Sequence, residues 1–448
     1  MTTPEPIPFF SAAQDLASGK DTPRALLERC LARLDAFEPR VGAFVCHDIE
    51  AARAAADGST ERWRAGRTLS PIDGLPIGIK DIIETANMPT ELGSPLWVGW
   101  RTGRDGASVA ALRECGAVIL GKTVTTEFAA TEPRGTRNPW DTERTPGGSS
   151  SGSAAAVACG MVPAALGTQV VGSILRPASF CGCVGYKPTV GGINRGGSYD
   201  YFSQSCTGAL AASLEDAWIV AINIAARAGG DPGYPGIQGP LEPPAPRRPR
   251  ALAMLETAGW EGAVPEARRA LEVAVARLVA EGITITDRHA DQNIDAVERA
   301  IFDAAGLTRT INAWEGRWPL NTYRNRDASK LSQSALDRLV TAEAMTLADY
   351  RGAISQRQQI RELHGRLAVQ YDGAITLTAP GPAPVGIGWT GDPAFVVPGS
   401  LLGVPTMSLP LLSAEGLPLG LQVIGYASGD ARLFEIATAV RDLLQARA

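Results

Sequence analysis

Short apolar runs that alternate with helix-forming segments most limit what this chain can fold into. The runs lie at 75–79, 117–120 and 161–166, and each is bounded by Gly or Pro. Segments at 107–114 and 153–158 lie between them and favour helices. Strand-like runs separated by helices are typical of helices packed on a parallel or mixed sheet. We therefore expect an α/β fold.

Helical periodicity marks three further segments. Thr22 as a cap and Pro23 at the first helical position predict a helix over 22–37. A long apolar run predicts a buried helix over 208–229. An amphipathic pattern predicts a last helix from 431 to about 444, with Asp430 as its cap.

Two changes in composition divide the chain: a candidate linker and a polar, helix-forming stretch after it. Residues 230–249 are rich in Pro and Gly, residues 293–370 are mainly helical and polar, and strand signals return at 373–378 and 420–424. We expect one large domain with three segments: a core with the N-terminal helices and the candidate site over 1–229, a variable, mainly helical inserted or cap region over 230–372, and a return to the core sheet with a terminal helix over 373–448.

Charge, apolar run length and cysteine usage argue against a nucleic-acid-binding, membrane or secreted protein. The 448 residues include 42 Lys and Arg against 47 Asp and Glu, a net charge of −5. This balance predicts no binding to nucleic acid or to an anionic membrane. No apolar stretch approaches the about 18 residues of a membrane span, and no signal peptide is expected at the N-terminus. Seven scattered cysteines predict reduced thiols and hence a cytoplasmic protein.

The pair Cys181 and Cys183 is the only close pair of cysteines. No second Cys or His pair stands at zinc-site spacing, so the pattern predicts small buried thiols and no metal site.

Residues 147–153 hold four serines and three glycines and continue into an alanine-rich segment. Such a stretch forms either a flexible loop or a site that needs bare backbone and hydroxyl groups close together. Its 148–152 part also matches the G-x-S-x-G nucleophile elbow, with Ser150 as nucleophile. An esterase of that type needs a histidine further along the chain, and His289 and His364 are the candidates.

Lys80 and Ser173 are two further candidates for chemistry. Lys80 directly follows an apolar run, which favours a buried lysine whose lowered pKa makes it a base; the alternative is an exposed lysine paired with Asp81. Ser173 follows Gly172, so it is either a nucleophile beside backbone N–H donors or part of an ordinary turn after a strand. Because no histidine lies near either serine run, a lysine is the natural base.

Three blocks in order resemble the amidase signature family: residues 74–81, 146–158 and 172–174. Weaker similarity covers most of the remaining chain, whereas 230–370 show little. The resemblance implies a central mixed β-sheet of many strands flanked by helices, with a mainly helical peripheral lobe. It implies no metal and no organic cofactor.

The resemblance also implies a Ser–Ser–Lys triad. Ser173 attacks the substrate carbonyl and becomes acylated, while Ser149 passes the proton to a neutral Lys80, which returns it to the leaving amine. The peptide bond between Gly148 and Ser149 is expected to be cis, and Ser150 supports the site by hydrogen bonding. The expected oxyanion hole consists of the N–H groups of Val170, Val171, Gly172 and Ser173.

The block around Ser173 departs from the family pattern at four positions. Gln169 stands where an acid is usual and Leu175 where an arginine is usual, with Arg176 one position late. Val170 and Val171 replace threonine and glycine. These two valines keep the N–H donors, but they stiffen the backbone and narrow the acyl pocket.

The departures favour a stand-alone hydrolase that cleaves the C–N bond of neutral, fairly apolar amides or carbamates, such as an acylamidase or a urethanase. A small-molecule substrate is the expected partner, and a homodimer is one candidate for the oligomeric state. The alternatives are a glutamine-hydrolysing amidotransferase A-type subunit that needs partner subunits, and a histidine-dependent α/β-hydrolase esterase. Aromatic candidates for an apolar pocket wall are Trp140, Tyr199, Tyr201, Phe202 and Trp389.

Overall fold

One mixed sheet of 11 strands organises the computed structural model, which describes residues 3–446. The strands are β1 (Phe44–His47), β2 (Pro76–Lys80), β3 (Val118–Thr123), β4 (Ala164–Gln169), β5 (Val184–Lys187), β6 (Cys206–Ala211), β7 (Ala251–Met254), β8 (Thr284–Thr286), β9 (Gly373–Leu377), β10 (Thr406–Ala414) and β11 (Leu417–Ile424).

Helices flank this sheet and fill most of the segment between β8 and β9. They are α1 (Ala13–Ser18), α2 (Pro23–Val41), α3 (Ile49–Arg64), α4 (Ala107–Glu114), α5 (Ser151–Ala158), α6 (Leu175–Cys181), α7 (Leu214–Ala228), α8 (Pro265–Ala280), α9 (Gln292–Ile301), α10 (Ala304–Asp327), α11 (Gln333–Ala344), α12 (Leu347–Arg366), α13 (Val397–Leu402) and α14 (Asp430–Gln445). None of the helices in residues 3–446 is long and apolar enough to cross a bilayer.

The strand order is β1-β3-β2-β4-β6-β5-β10-β11-β9-β7-β8. Strand β2 runs parallel to both β3 and β4, and β7 runs parallel to both β8 and β9. The remaining neighbours pair antiparallel. The expected α/β fold with a central mixed sheet of many strands is therefore confirmed.

Two hydrophobic clusters cover the opposite faces of the sheet. In β4, Ala164 and Leu166 belong to one cluster and Ala165 to the other, as alternation along a strand requires. The first cluster contains Trp218 of α7. The second contains Ala155 of α5. Helices α9, α10 and α12 belong to a third cluster that also includes residues of β7.

The segment 230–372 contains two strands as well as helices. Strands β7 and β8 join the main sheet, while α8 to α12 supply the helical part. The division of the chain at 229 and 372 stays a prediction.

The apolar run from 208 to 229 forms a strand and a helix, so the expectation of one buried helix is wrong. Strand β6 pairs with both β4 and β5, and α7 begins only after Ser213, whose hydroxyl accepts from the Asp216 N–H at 3.0 Å. A strand buried on both faces is as apolar as a buried helix, so the run alone cannot separate the two.

Asp430 does not cap the last helix, which corrects a second expectation. The cap residue of α14 is Gly429, which makes no side-chain cap bond. The buried Asp430 carboxylate instead accepts from the Tyr186 hydroxyl at 2.7 Å, the Thr189 N–H at 2.9 Å and the Thr189 hydroxyl at 2.6 Å. Asp430 thereby attaches α14 to β5 and the loop that follows it.

We predict that Asp430→Ala lowers the free energy of unfolding by about 2–4 kcal/mol, because the donors of Tyr186 and Thr189 lose their buried acceptor. Urea denaturation measures the change. Asp442→Ala on the same helix is the matched control, since the Asp442 carboxylate is half exposed and pairs with its neighbour Arg441. The control should stay within about 0.5 kcal/mol of the parent chain. Equal losses in the two variants would refute the role of Asp430.

Candidate active site

The candidate site lies where neighbouring parallel strands end. Lys80 is the last residue of β2 and Gln169 the last of β4, and these two strands pair in parallel. Their carboxyl ends therefore meet at one edge of the sheet, which is where α/β sheets bind ligands. The loop 170–174, which contains Ser173, joins β4 to α6 at this edge.

The Lys80 side chain is buried and contacts the serine loop. Its Nζ lies 2.7 Å from Ser149 Oγ, 2.9 Å from Thr168 Oγ1 and 3.3 Å from the Thr168 carbonyl oxygen. Burial lowers the pKa of Lys80 to about 7, against the opposing effect of the Asp200 carboxylate. Asp81 pairs with Lys122 at 3.3 Å, which excludes the alternative of an exposed Lys80 paired with Asp81.

The Gly/Ser stretch is a buried loop that continues into the first turn of α5, so the flexible-loop alternative does not hold. Ser149 and Ser150 have no exposed surface, and the peptide bond between Gly148 and Ser149 is cis. A Cβ at Gly152 would collide with the Ala43 carbonyl oxygen, so only glycine lets α5 approach the chain this closely.

Ser150 contacts the end of β4 and the loop that contains Ser173. Its hydroxyl lies 3.4 Å from both the carbonyl oxygen and the nitrogen of Thr168. Its N–H donates to the Ser173 carbonyl oxygen at 3.1 Å. This bond holds the loops of Ser149 and Ser173 together.

Ser173 and the three residues before it keep unpaired donors. Ser173 is 6% exposed, and its hydroxyl forms no hydrogen bond within residues 3–446. The N–H groups of Val170, Val171, Gly172 and Ser173 also donate to no atom of this part of the chain. Free N–H groups beside a free hydroxyl are the arrangement that an oxyanion hole needs. The structure joins Lys80 to Ser149 directly, and it joins Ser150 to Ser173 through the backbone.

Gln169 holds the loop that contains Ser173. Its Oε1 accepts from the Ile174 N–H at 2.9 Å and the Leu175 N–H at 3.0 Å. Its Nε2 donates to the Ser400 hydroxyl at 2.9 Å, and that hydroxyl donates to the Val171 carbonyl oxygen at 2.8 Å. A neutral amide thus supplies both the acceptor and the donor that this loop requires.

Arg176 holds the loop that contains Ser149. Its Nη2 donates to the Gly148 carbonyl oxygen at 2.8 Å and to the Thr390 hydroxyl at 2.9 Å. Burial lowers the pKa of Arg176 to about 10, while Asp392 acts in the opposite direction. The guanidinium is therefore used to fix the peptide unit that precedes Ser149.

The Amidase family matches residues 25–434 of this sequence. The chain belongs to the amidase family. It is 34% identical to the A-type subunit of the glutamyl-tRNA(Gln) amidotransferase from Chloroflexus aggregans, over 95% of this chain and 93% of that protein. A crystal structure of an amidase is 30% identical, with a TM-score of 0.84, and covers 98% of this chain and 100% of that one. The peptide amidase of Stenotrophomonas maltophilia is 27% identical, with a TM-score of 0.80, over 97% and 96% of the two chains.

These matches identify a member of a family of C–N hydrolases, as the resemblance of the three sequence blocks indicates. Two amidase structures superpose over nearly the whole chain, including the segment 230–370, where sequence similarity was weak. The amidase fold therefore includes the helical segment as well as the site.

Neither histidine candidate contacts a serine of the site within residues 3–446. His289 is exposed, with Nε2 3.9 Å from Glu256. His364 lies on α12 with its ring 5.1 Å from that of Tyr426, and burial lowers its pKa to about 4. Neither His289 nor His364 is therefore placed to act as the base of a nucleophile elbow at Ser150.

No group of three or more potential metal-binding side chains is found among the described residues. Cys181 and Cys183 are buried, and burial raises the pKa of both thiols.

Three of the aromatic candidates lie in the loop before β6, and the other two, Trp140 and Trp389, lie elsewhere in the chain. Tyr199 and Tyr201 contact each other, with ring centroids 5.9 Å apart, in the loop that precedes β6. Phe202 follows them and faces Gly316 of α10. Trp140 donates to the Cys181 carbonyl oxygen at 2.7 Å, and Trp389 is exposed.

Three residues of the site were missed from the sequence. Thr168 is the second partner of Lys80, Ser400 fixes Gln169, and Asp200 acts electrostatically on Lys80. Thr168 could have been found, because the strand-like run predicted at 161–166 continues into β4, and Thr168 lies one residue before the end of that strand. No local signal connects Ser400 with Gln169.

We predict that Gln169→Met lowers kcat on an amide about 10- to 100-fold, because the loop loses the acceptor of two N–H groups and the donor to Ser400. Steady-state kinetics measure it, with circular dichroism as the check of folding. Gln238→Met is the control, since Gln238 is exposed and bonds only neighbouring carbonyl groups. An unchanged kcat in a folded Gln169→Met protein would refute the positioning role.

Proposed function

We propose that the chain is an amidase that hydrolyses the C–N bond of neutral, fairly apolar amides or carbamates. The observation that supports this most directly is the buried Lys80 amine, 2.7 Å from the Ser149 hydroxyl. A lysine with a pKa of about 7 is neutral in a large fraction of molecules near neutral pH, so it can accept a proton.

The proposed reaction uses three residues. The Ser173 hydroxyl oxygen attacks the substrate carbonyl, and its proton passes to Ser149 while the Ser149 proton passes to Lys80. The N–H groups of 170–173 stabilise the negative oxygen of the tetrahedral intermediate. The C–N bond then breaks, the amine leaves with the proton returned from Lys80 through Ser149, and Ser173 keeps the acyl group as an ester. Water hydrolyses this ester by the same proton path in reverse.

The preference for a neutral substrate is supported by the loop around Ser173. Residues 169–175 contain no ionisable side chain. The nearby guanidinium of Arg176 is already bonded to Gly148 and Thr390. A charged group on the substrate would therefore lose hydration without gaining a counterion from this loop.

A second candidate is the glutamine-hydrolysing amidotransferase A-type subunit. It is favoured by the 34% identity to the Chloroflexus aggregans protein over 95% of this chain. An amidotransferase component of that kind needs partners, whereas the stand-alone amidase does not. Turnover of a simple anilide by the purified chain alone would therefore support the stand-alone function.

We predict that a fluorophosphonate labels the purified chain at Ser173 and that Ser173→Ala abolishes the labelling. Peptide mapping by mass spectrometry locates the label. Ser150→Ala should still become labelled at Ser173, more slowly, because only the support of the loop is lost. A label on Ser150, or normal labelling of Ser173→Ala, would disprove the assignment of the nucleophile.

We predict that kcat/KM of the isolated chain rises with pH through a midpoint near 7 and then levels off, because the active base is neutral Lys80. Below the midpoint the ammonium form predominates and cannot accept the proton. Asp200→Asn should move the midpoint to lower pH, since the Asp200 carboxylate raises the pKa of Lys80. A profile that falls from pH ~5 upward contradicts the lysine base.

A further inference from the structure

Six aromatic side chains from three segments form a continuous series of ring contacts. We propose that this series is a binding wall for a planar aromatic group of the substrate, and this proposal rests on the proposed amidase function. We refer to it as the aromatic wall, which consists of Tyr323, Trp97, Trp100, Tyr199, Tyr201 and Trp318.

The inner half of the aromatic wall connects α10 with the turn at Pro95–Trp97. The Tyr323 and Trp97 rings are 6.0 Å apart and nearly perpendicular, at 83°. Trp97 contacts Trp100 at 4.9 Å. At the inner end, Phe128 stacks on Tyr323 at 4.4 Å and 20°. The stacked Phe128 holds the Tyr323 ring in place as part of a hydrophobic cluster.

The outer half continues through the loop before β6 and returns to α10. Trp100 contacts Tyr199 at 5.4 Å, and Tyr201 contacts Trp318 at 5.5 Å, each in an edge-to-face arrangement. The Tyr199 hydroxyl donates to Glu84 at 2.6 Å, which fixes this ring. The wall therefore consists of rings held in place, which lose little conformational entropy on binding a ligand.

Two backbone hydrogen bonds connect the aromatic wall with the candidate active site. The Thr126 N–H donates to the Ser149 carbonyl oxygen at 3.3 Å, two residues before Phe128. The Tyr199 N–H donates to the Ile82 carbonyl oxygen at 2.9 Å, two residues after Lys80. Tyr199 of the wall, and Phe128, which stacks on Tyr323, thus lie on segments that hydrogen-bond beside Lys80 and Ser149.

The backbone around Phe128 is held in an unfavourable conformation. Phe128 and Ala129 have φ values of 51° and 55°, in the left-handed region that side chains other than glycine rarely adopt. The buried Glu127 carboxylate maintains this turn, since it accepts from the Ser94 hydroxyl at 3.2 Å and the Ser332 N–H at 3.3 Å. Strain that the surroundings maintain beside a reactive site points to a functional position for the side chain.

Exposure increases along the aromatic wall from the interior to the surface. Tyr323 is 7% exposed, Tyr201 is 44% exposed and Trp318 is 64% exposed. Val98, beside Trp97, is also exposed. Apolar and aromatic surface that faces water next to a buried site is typical of a ligand entrance.

The test measures binding without turnover, so it remains informative if the proposed chemistry is wrong. The Ser173→Ala protein is titrated with 4-nitroacetanilide, and quenching of tryptophan fluorescence reports binding. N-butylacetamide, which lacks the ring, is measured by competition. Adding Tyr323→Leu should weaken 4-nitroacetanilide binding about three- to tenfold and change N-butylacetamide binding less than twofold.

Trp314→Leu is the matched control on the same helix, because Trp314 stacks on Tyr350 outside the aromatic wall. It should leave the ratio of the two affinities unchanged. Trp318→Ala is the second variant, since its exposed ring can be removed without emptying the core, and it should lower the same ratio. Unchanged ratios in both wall variants, or an equal fall in Trp314→Leu, would overturn the proposal. Absence of a label on Ser173 in the parent chain would instead reject the amidase chemistry alone.

Discussion

The contact between the buried Lys80 amine and the Ser149 hydroxyl is the interaction on which the rest of the site depends. A buried ammonium group is costly, so a central strand can hold a lysine only if its pKa falls or its charge is compensated. Here Ser149 and Thr168 supply hydrogen-bonding oxygens, while Asp200 moderates the fall in pKa. The serine loop and the end of β4 therefore both supply hydrogen-bonding oxygens to the Lys80 amine.

A neutral amide and a buried guanidinium position the loops around this amine. The Gln169 side chain bonds two N–H groups and one hydroxyl, and Arg176 fixes the carbonyl oxygen next to Ser149. The loop that contains Ser173 thus stays in place without a local pair of acid and arginine. The loop itself thus brings no ionisable side chain to the proposed active site, and the aromatic wall adds apolar surface beside it.

Much of this site could be predicted from the sequence, because the lysine and both serines lie in short blocks with their own local pattern. The mixed sheet could be predicted because its apolar strand-like runs alternate with helix-forming segments. The contacts of Gln169 with Ser400 and of Asp430 with Tyr186 could not, since each joins residues more than 200 positions apart. The apolar run from 208 to 229 does not reveal its division into a strand and a helix, because burial on both faces removes the periodicity that distinguishes strands from helices.

The strand order has a consequence for how the chain is assembled during synthesis. Strands β10 and β11 lie in the middle of the sheet, between β5 and β9, although they are the last to be made. Until residues 406–424 emerge from the ribosome, β5 presents an unpaired edge and the two halves of the sheet stay separate. Nascent chains of this topology need protection from edge-to-edge association, which molecular chaperones can provide.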